Sequence, residues 1–440
     1  MIPFTIEQPQ TDASQAEQQR VLSADRPKGL ALIRYKLKFV DRTYWTVFIL
    51  LAAFAVLELF SASSTLAFKA GNFLGPLWHN LRFILLGACA GFVVQLFPSK
   101  YVRIGGYGLL GVAVLCLYLM IVPGSPFVSN INDAERWFKI FGFSFQPSEL
   151  AKLGLIIVVA DRLAQAHDEQ QLVREFYRTL VLSAIIIFPI LIGNLSTALL
   201  LSGVVFLMWF LARVPLKYLG GILLIAVVMM VSGYFIVDRF FVQAHRQLTG
   251  PFKRAVTWVN RVNDFVADDS GADDDDNYQR NHARLAVARG GVSPFGVLPG
   301  NSVERNFLPL AFADYIFAII VEETGLFGAL LLIALYVVIL FRACYTSSKN
   351  TDYGSMLMVM GLALMLTSQA FVSMAVAVGM GPVTGQPLPL VSWGGTSVLV
   401  TSLYFAILMC VSREQNEMQA QIEQSRIDSY DEVPEIQLEG

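Results

Sequence analysis

Pro299–Gly325 reads PGNSVERNFLPLAFADYIFAIIVEETG, and this stretch decides the fold. It opens with turn-forming Pro, Gly, Asn and Ser, passes through Leu308-Pro309, and becomes an apolar run of helical length. Such a passage is how a surface loop feeds a membrane helix. Asp314 stands at the seam, and Glu322 and Glu323 follow inside the apolar part. A carboxylate at the mouth of a membrane helix is costly unless it is paired, hydrated or functional. Eight residues beyond Asp314, Glu322 falls roughly 12 Å deeper on a similar side of a helix, whereas Glu323 points away. Glu322 and Glu323 read most simply as helix-start acids paired with neighbouring helices. Asp314 reads as the functional acid.

The rest of the chain supplies the membrane. Its 440 residues are 55% hydrophobic and only 15% charged, with mean hydropathy +0.56. That is too apolar for a soluble globular protein and fits an all-α polytopic membrane protein. A net charge of −2 gives no basic excess for nucleic acid. Cys89, Cys116, Cys344 and Cys410 lie scattered in or beside apolar segments, without metal-ligand spacing, and read as small buried hydrophobes. The first forty residues are polar and mixed in charge, so the first apolar span is expected to act as an uncleaved anchor.

Apolar spans are expected at about 44–67, 80–98, 103–123, 147–163, 176–193, 195–212, 215–238, 311–342, 354–379 and 390–412, about ten transmembrane helices in all. The organisation follows: a cytoplasmic N-terminal tail over 1–43, helices 1–7 over 44–238, one large extracytoplasmic loop over 239–310 between helices 7 and 8, helices 8–10 over 311–412, and a cytoplasmic C-terminal tail over 413–440. Orientation rests on Lys and Arg in short loops: Arg26, Lys28, Arg34, Lys36, Lys38 and Arg42 before the first span, Lys100 and Arg103, Arg162, Arg174 and Arg178, Arg213 and Lys217, and Arg342 and Lys349. All agree with both termini inside. Trp45, Trp78, Trp137 and Trp393 fall near span ends, as generic interface anchors do.

The 239–310 segment begins with a basic amphipathic piece and continues through an acidic insert, Asp268-Asp269 and Asp273 to Asp276. That run reads as a solvated charge run rather than a cation site. Gly290-Gly291, Gly296, Pro299 and Gly300 suit tight turns or close backbone approach to a ligand. Because this loop runs into Asp314, the face carrying Asp314 is expected to be the outer one. On the same face, Arg136 and Trp137 precede a helix start at Pro147, with Ser148, Glu149 and Lys152 in its first turns. Lys152 shares a helical surface with Glu149, so the two form either a structural ion pair or a site where Lys152 or Arg136 holds an anionic head group. A third outer segment, Gly381 to Ser397, carries Gln386-Pro387 and then Ser392-Trp393-Gly394-Gly395. Irregular backbone of this kind needs cover from protein or water, and a Ser/Gly helix start offers free N–H groups to an anion.

Three motifs taken together, ERWFKIFGFSFQPSELAK, GGVSPFGVLPGNSVERNFLP with ADYIFAIIVEETG, and TGQPLPLVSWGGTS, resemble the SEDS family of RodA and FtsW proteins, nearest to the FtsW branch. The resemblance covers about residues 44–412. It implies a ten-helix peptidoglycan glycosyltransferase that polymerises lipid II into glycan strands outside the cytoplasmic membrane during cell division. It implies as partners lipid II and the nascent strand, a class B penicillin-binding protein acting as transpeptidase, and other division-complex membrane proteins. Asp314 matches the essential acid of the family motif. The chain departs from the pattern at Leu310, Phe312 and Ala313, where many members read LPE-H-T-D, and at Asn194 to Ala198, where many read P-D-L-G-T-A.

Transfer from a lipid diphosphate has a good leaving group, so one base on the acceptor hydroxyl suffices, here Asp314. Positive charge must steady the departing diphosphate. Arg136 and Lys152 are the first candidates, followed by Arg280, Arg284 and Arg305. Trp137, Glu149, Gly300, Ser302, Gln386, Pro387, Ser392, Gly394 and Gly395 complete the expected substrate-binding set. Mg²⁺ or Mn²⁺ is a candidate cofactor without a recognisable ligand cluster; no organic cofactor is expected. Two other readings stay open. A flippase or transporter for lipid-linked precursors fits the span number, though no internal repeat is visible; a non-catalytic division scaffold fits everything except the retained Asp314.

Overall fold

The computed structural model describes residues 30–70, 75–122, 128–131, 134–140, 143–242, 253–267, 275–291, 293–308 and 314–431. Thirteen helices fall within these: α1 Leu30–Leu37, α2 Arg42–Ala70, α3 Gly75–Val94, α4 Ser99–Ile121, α5 Pro147–Ala164, α6 Glu169–Gly193 and α7 Leu195–Leu211, then α8 Leu216–Val237, α9 Lys253–Ala267, α10 Asp275–Gly291, α11 Ile316–Ser348, α12 Tyr353–Ala377 and α13 Gly395–Asp431. Eight of them are long and apolar enough to cross a membrane: α2, α3, α4, α6, α8, α11, α12 and α13. The other two expected spans are also helices. α7 has 17 residues, and α5 carries Glu149, Lys152, Asp161 and Arg162. The chain is thus an all-α polytopic membrane protein. The expected 311–342 span instead begins at Ile316, and the expected 390–412 span begins at Gly395 and continues as one helix to Asp431.

Local chemistry sets several boundaries. Pro147 occupies the first turn of α5, where its missing N–H costs nothing, and Glu149 places an acid there. Asn194 closes α6 with its N–H bonded to the Ile190 carbonyl at 2.7 Å. Its side chain then accepts from the Thr197 N–H and opens α7. One residue therefore serves two helix ends, which explains the tight break at this position. Asp352 caps α12 by accepting from the Gly354 and Ser355 N–H groups.

Residues 42–411 form one compact unit. Its core is built around α5, α11 and α12, whose faces are lined by buried residues such as Ile156, Leu332, Tyr336, Leu362 and Met365. Small residues permit close backbone contact: a methyl group on Gly154 would meet the Leu110 backbone at 3.0 Å, and one on Gly361 would meet Met208 and Ile156. The expected loop at 124–146 carries a small antiparallel sheet, β1 Val128–Ile131, β2 Ala134–Ile140 and β3 Phe143–Phe145, in the order β1-β2-β3. The second unit joins residues up to Asp41 with those from Ser412 onward. Within it Ser412 Oγ donates to Asp41 at 2.5 Å, Asn416 Nδ2 donates to the Phe39 carbonyl at 3.0 Å, and the buried Arg413 pairs with Glu417 at 3.0 Å. All four cysteines are free thiols; Cys116 and Cys410 are buried as expected, whereas Cys89 and Cys344 are exposed, on helix faces that this chain does not cover.

Candidate active site

The decisive stretch folds as a locked loop that feeds a broken helix. α11 is interrupted at Gly325, whose φ of 67° and ψ of −161° only glycine adopts readily. The backbone of Ser293–Val297 docks there. Val297 N–H donates to the Glu322 carbonyl at 2.9 Å, and Phe327 N–H donates to the Pro294 carbonyl at 3.1 Å. Gly296, with φ of 61°, lies directly on this break, so a Cβ at either glycine would strike the other segment's backbone.

Glu322 and Glu323, both fully buried, hold the next part of the loop. Glu322 accepts from Ser302 Oγ at 2.5 Å and from the Val303 N–H at 3.1 Å. Glu323 accepts from Ser61 Oγ on α2. Arg305 lies 3.9 Å from Glu323 and donates to the Ser61 carbonyl and hydroxyl at 3.0 Å. Glu304, 2% exposed, bonds His282 at 2.6 Å and Arg289 at 3.0 Å on α10. The helix acids therefore do more than pair with neighbouring helices: they pin the loop from Ser302 to Arg305. Ser302 and Arg305 are part of that clamp, and Gly300 sits on the exposed turn before it with φ of 91°.

Asp314 stands two residues before α11 begins, on a turn and half-buried, rather than inside the helix. The expected 12 Å helical offset to Glu322 does not apply across this turn. Of the four carboxylates in Pro299–Gly325, Glu304, Glu322 and Glu323 are sealed, and Asp314 alone keeps solvent access.

A second polar chain crosses the core from α5. Lys152, 1% exposed, pairs with Glu149 at 2.7 Å and donates to Gln369 Oε1 at 2.9 Å. Gln369 Nε2 donates to the Pro387 carbonyl at 3.0 Å. Gln386 Nε2 donates to Thr197 Oγ1 at 2.6 Å, and Ser392 Oγ accepts from the Leu388 N–H at 2.7 Å. Tyr336 on α11 donates to the Pro389 carbonyl at 2.6 Å. The chain from Glu149 through Lys152 and Gln369 to Pro387, the Gln386–Thr197 bond and the Ser392–Leu388 bond thus each fix the 386–392 segment. Gly395 starts α13 against the Phe83 ring, where a side chain would not fit, and Gly394 precedes it. Arg136 and Trp137 lie on β2; their side chains fall outside the described residues. Gln369, Thr197 and Tyr336 supply the in-span partners; in sequence, polar side chains inside spans look the same whether they pair between helices or pin a loop.

Among the described residues no group of three or more His, Cys, Asp or Glu side chains is placed to hold a metal ion. Most of the Asp268–Asp276 run lies outside the described residues.

Comparison with known proteins matches residues 41–417 to the FtsW/RodA/SpoVE model, described as cell cycle protein. The chain belongs to that family. Within the family it is 33% identical over 389 residues to the probable peptidoglycan glycosyltransferase FtsW of Saccharophagus degradans, spanning 85% of this chain and 92% of that one. It is 29% identical over 400 residues to the protein of the same name from Mycobacterium tuberculosis, spanning 88% and 71%. The fold matches a chain from a peptidoglycan synthase complex that coordinates polymerization and crosslinking, with a TM-score of 0.66 at 24% identity over 86% of this chain and 98% of that one. It also matches the rod shape determining protein RodA of Thermus thermophilus, with a TM-score of 0.59 at 22% identity over 86% and 97%.

Proposed function

We propose that this FtsW/RodA-family chain is a peptidoglycan glycosyltransferase that polymerises lipid II, with Asp314 as general base. One observation carries the reading: the carboxylate at the loop-to-helix seam stays accessible while the other three acids of the stretch are consumed in holding the loop. A base must reach its proton, and a sealed carboxylate cannot.

Asp314 takes the proton from the acceptor sugar hydroxyl as that oxygen attacks the anomeric carbon of the donor. The bond to the lipid diphosphate breaks, the diphosphate leaves with its electron pair, and the anomeric centre inverts. Arg136 and the Gly394-Gly395 start of α13 are the groups assigned to the substrate's anionic part. The Glu149–Lys152 and Ser302–Glu322 networks hold the segments around it and keep Gly300, Arg305, Gln386, Pro387 and Ser392 in register. The site lies on the outer face of the cytoplasmic membrane with both termini inside, in line with the Lys and Arg distribution. A class B penicillin-binding protein is the proposed transpeptidase partner within a division complex.

Labelled lipid II supplied to the purified chain with its transpeptidase partner tests this. Wild type is expected to form polymer, and Asp314→Ala to lose roughly two to four orders of magnitude of rate. Equal polymer from both variants overturns the role of Asp314. Lipid movement across vesicles without polymer favours a flippase, and neither activity favours a scaffold.

A further inference from the structure

Three cations are buried among the described residues: Lys152, Arg280 and Arg413. Lys152 has Glu149, and Arg413 has Glu417. Arg280, on α10, is 6% exposed, and its Nε is enclosed without a hydrogen-bond partner. No ion pair or hydrogen bond joins its guanidinium to any described residue. The buried acids Glu304 and Glu322 are committed elsewhere, Glu304 to His282 and Arg289, Glu322 to Ser302 and Val303.

The neighbouring arginines show what an occupied position looks like here. Arg284, one turn further on the same face of α10, donates to the Gly379 carbonyl at 3.4 Å. Arg261 on α9 donates to the Val383 carbonyl at 3.1 Å. Both grip the chain just after α12. Arg280 is buried on the same helix as Ala283 at 1% and Ala286 at 0% exposure, yet its Nε has no partner among the described residues. An arginine packed this deeply, with its Nε enclosed and no anion of the described residues on its guanidinium, is a ready receptor for an anion from outside the chain.

We propose that Arg280 is an oxyanion-binding residue, its planar fork receiving a phosphate or carboxylate group of the lipid-linked substrate. This deepens the glycosyltransferase reading and rests on it for the identity of the substrate. Diphosphate and stem-peptide carboxylate share the chemistry a guanidinium recognises, so experiment separates them. The structural alternative is an intrahelical pair with Asp276, four residues earlier on α10.

Binding of labelled lipid II to the purified full-length chain in detergent, competed by polyprenyl diphosphate or by the free stem pentapeptide, decides the matter. Arg280→Met is expected to weaken lipid II binding about 10- to 100-fold and raise KM by a similar factor. Its melting temperature without ligand is expected to stay level or rise, because an unpaired buried charge has been removed. Arg280→Lys keeps the charge without the fork; native melting with intermediate affinity is the expected result. Loss of competition by polyprenyl diphosphate in Arg280→Met assigns the phosphate, and loss of competition by the pentapeptide assigns the carboxylate. The proposal is overturned if both Arg280 variants bind lipid II as wild type does, or if Arg280→Met and Asp276→Asn lower the ligand-free melting temperature alike. Asp314→Asn separates the two readings, since it is expected to bind lipid II normally without polymerising it. A wild type that binds without polymerising sinks the glycosyltransferase reading while Arg280 is still judged on binding.

Discussion

Two helices of this chain, α8 and α12, are alike as sequence and unlike as structure. Both are long, apolar and free of charge over their central turns. Protein encloses 67% of the apolar window of α12 and 0% of that of α8, where Leu219 near the start is the buried residue. Lipid tails are as apolar as leucine, so hydropathy reports the medium and says nothing about the neighbour. What separates the two is the company of small and polar residues. α12 brings Gly361 against Met208 and Ile156, and Gln369 between Lys152 and Pro387. On α8, the positions of Gly220, Gly221 and Gly233 face open space. The side of the unit near α12 is tied by buried polar chains, whereas α8 is left uncovered by this chain along most of its length.

The comparison can be broken hardest at Gly325, where the tied side depends on a conformation reserved for glycine. Gly325→Val would force a β-branched residue to positive φ and drive its Cβ into the docked Ser293–Gly296 backbone. The expected cost exceeds about 4 kcal/mol, enough to prevent folding; thermal melting in detergent and yield of monodisperse protein would measure it. A near-native melting temperature would mean that the loop does not dock as described. Lys152→Met comes next. It strands Glu149 in the core, and loss of one partner from a buried pair costs about 3–5 kcal/mol. Pairing it with Glu149→Leu should recover most of the loss, which a double-mutant cycle on melting would show. No recovery would mean that Lys152 acts through Gln369 and the 386–392 segment instead of through Glu149.

The expected architecture was legible because membrane helices announce themselves by length and composition: a helix stands where each apolar run was read, and eight of these are long and apolar enough to cross a membrane. Boundaries slipped where polar chemistry decides them. Asp314 reads as the first turn of a helix because nothing in LPLAFADYIF marks a stop, yet the helix begins at Ile316. Glu322 and Glu323 were legible as costly residues, but not as partners of Ser302 and Ser61, since those contacts join positions 20 and 262 residues apart. The Glu149–Lys152 pair could be read from i,i+3 spacing; its continuation through Gln369 to Pro387 could not. Local spacing is visible in one sequence, and cross-chain pairing is not.

The smallest expected effects lie on α8, and they test the contrast most directly. Leu362 on α12 is fully buried, and its truncation to alanine leaves a cavity among packed side chains. Lipid offers no solvent penalty to add, so the cavity part alone applies, roughly 1–3 kcal/mol. Leu224 on α8 is 65% exposed and touches little protein, so Leu224→Ala should change stability by less than about 0.5 kcal/mol. Measured side by side under the same detergent conditions, the pair should differ clearly. Equal destabilisation would mean that α8 packs against protein over the face left open here. Indifference at both would mean that the α12 core is not close-packed, and the polar chains through Gln369 would then have to carry the stability assigned to packing.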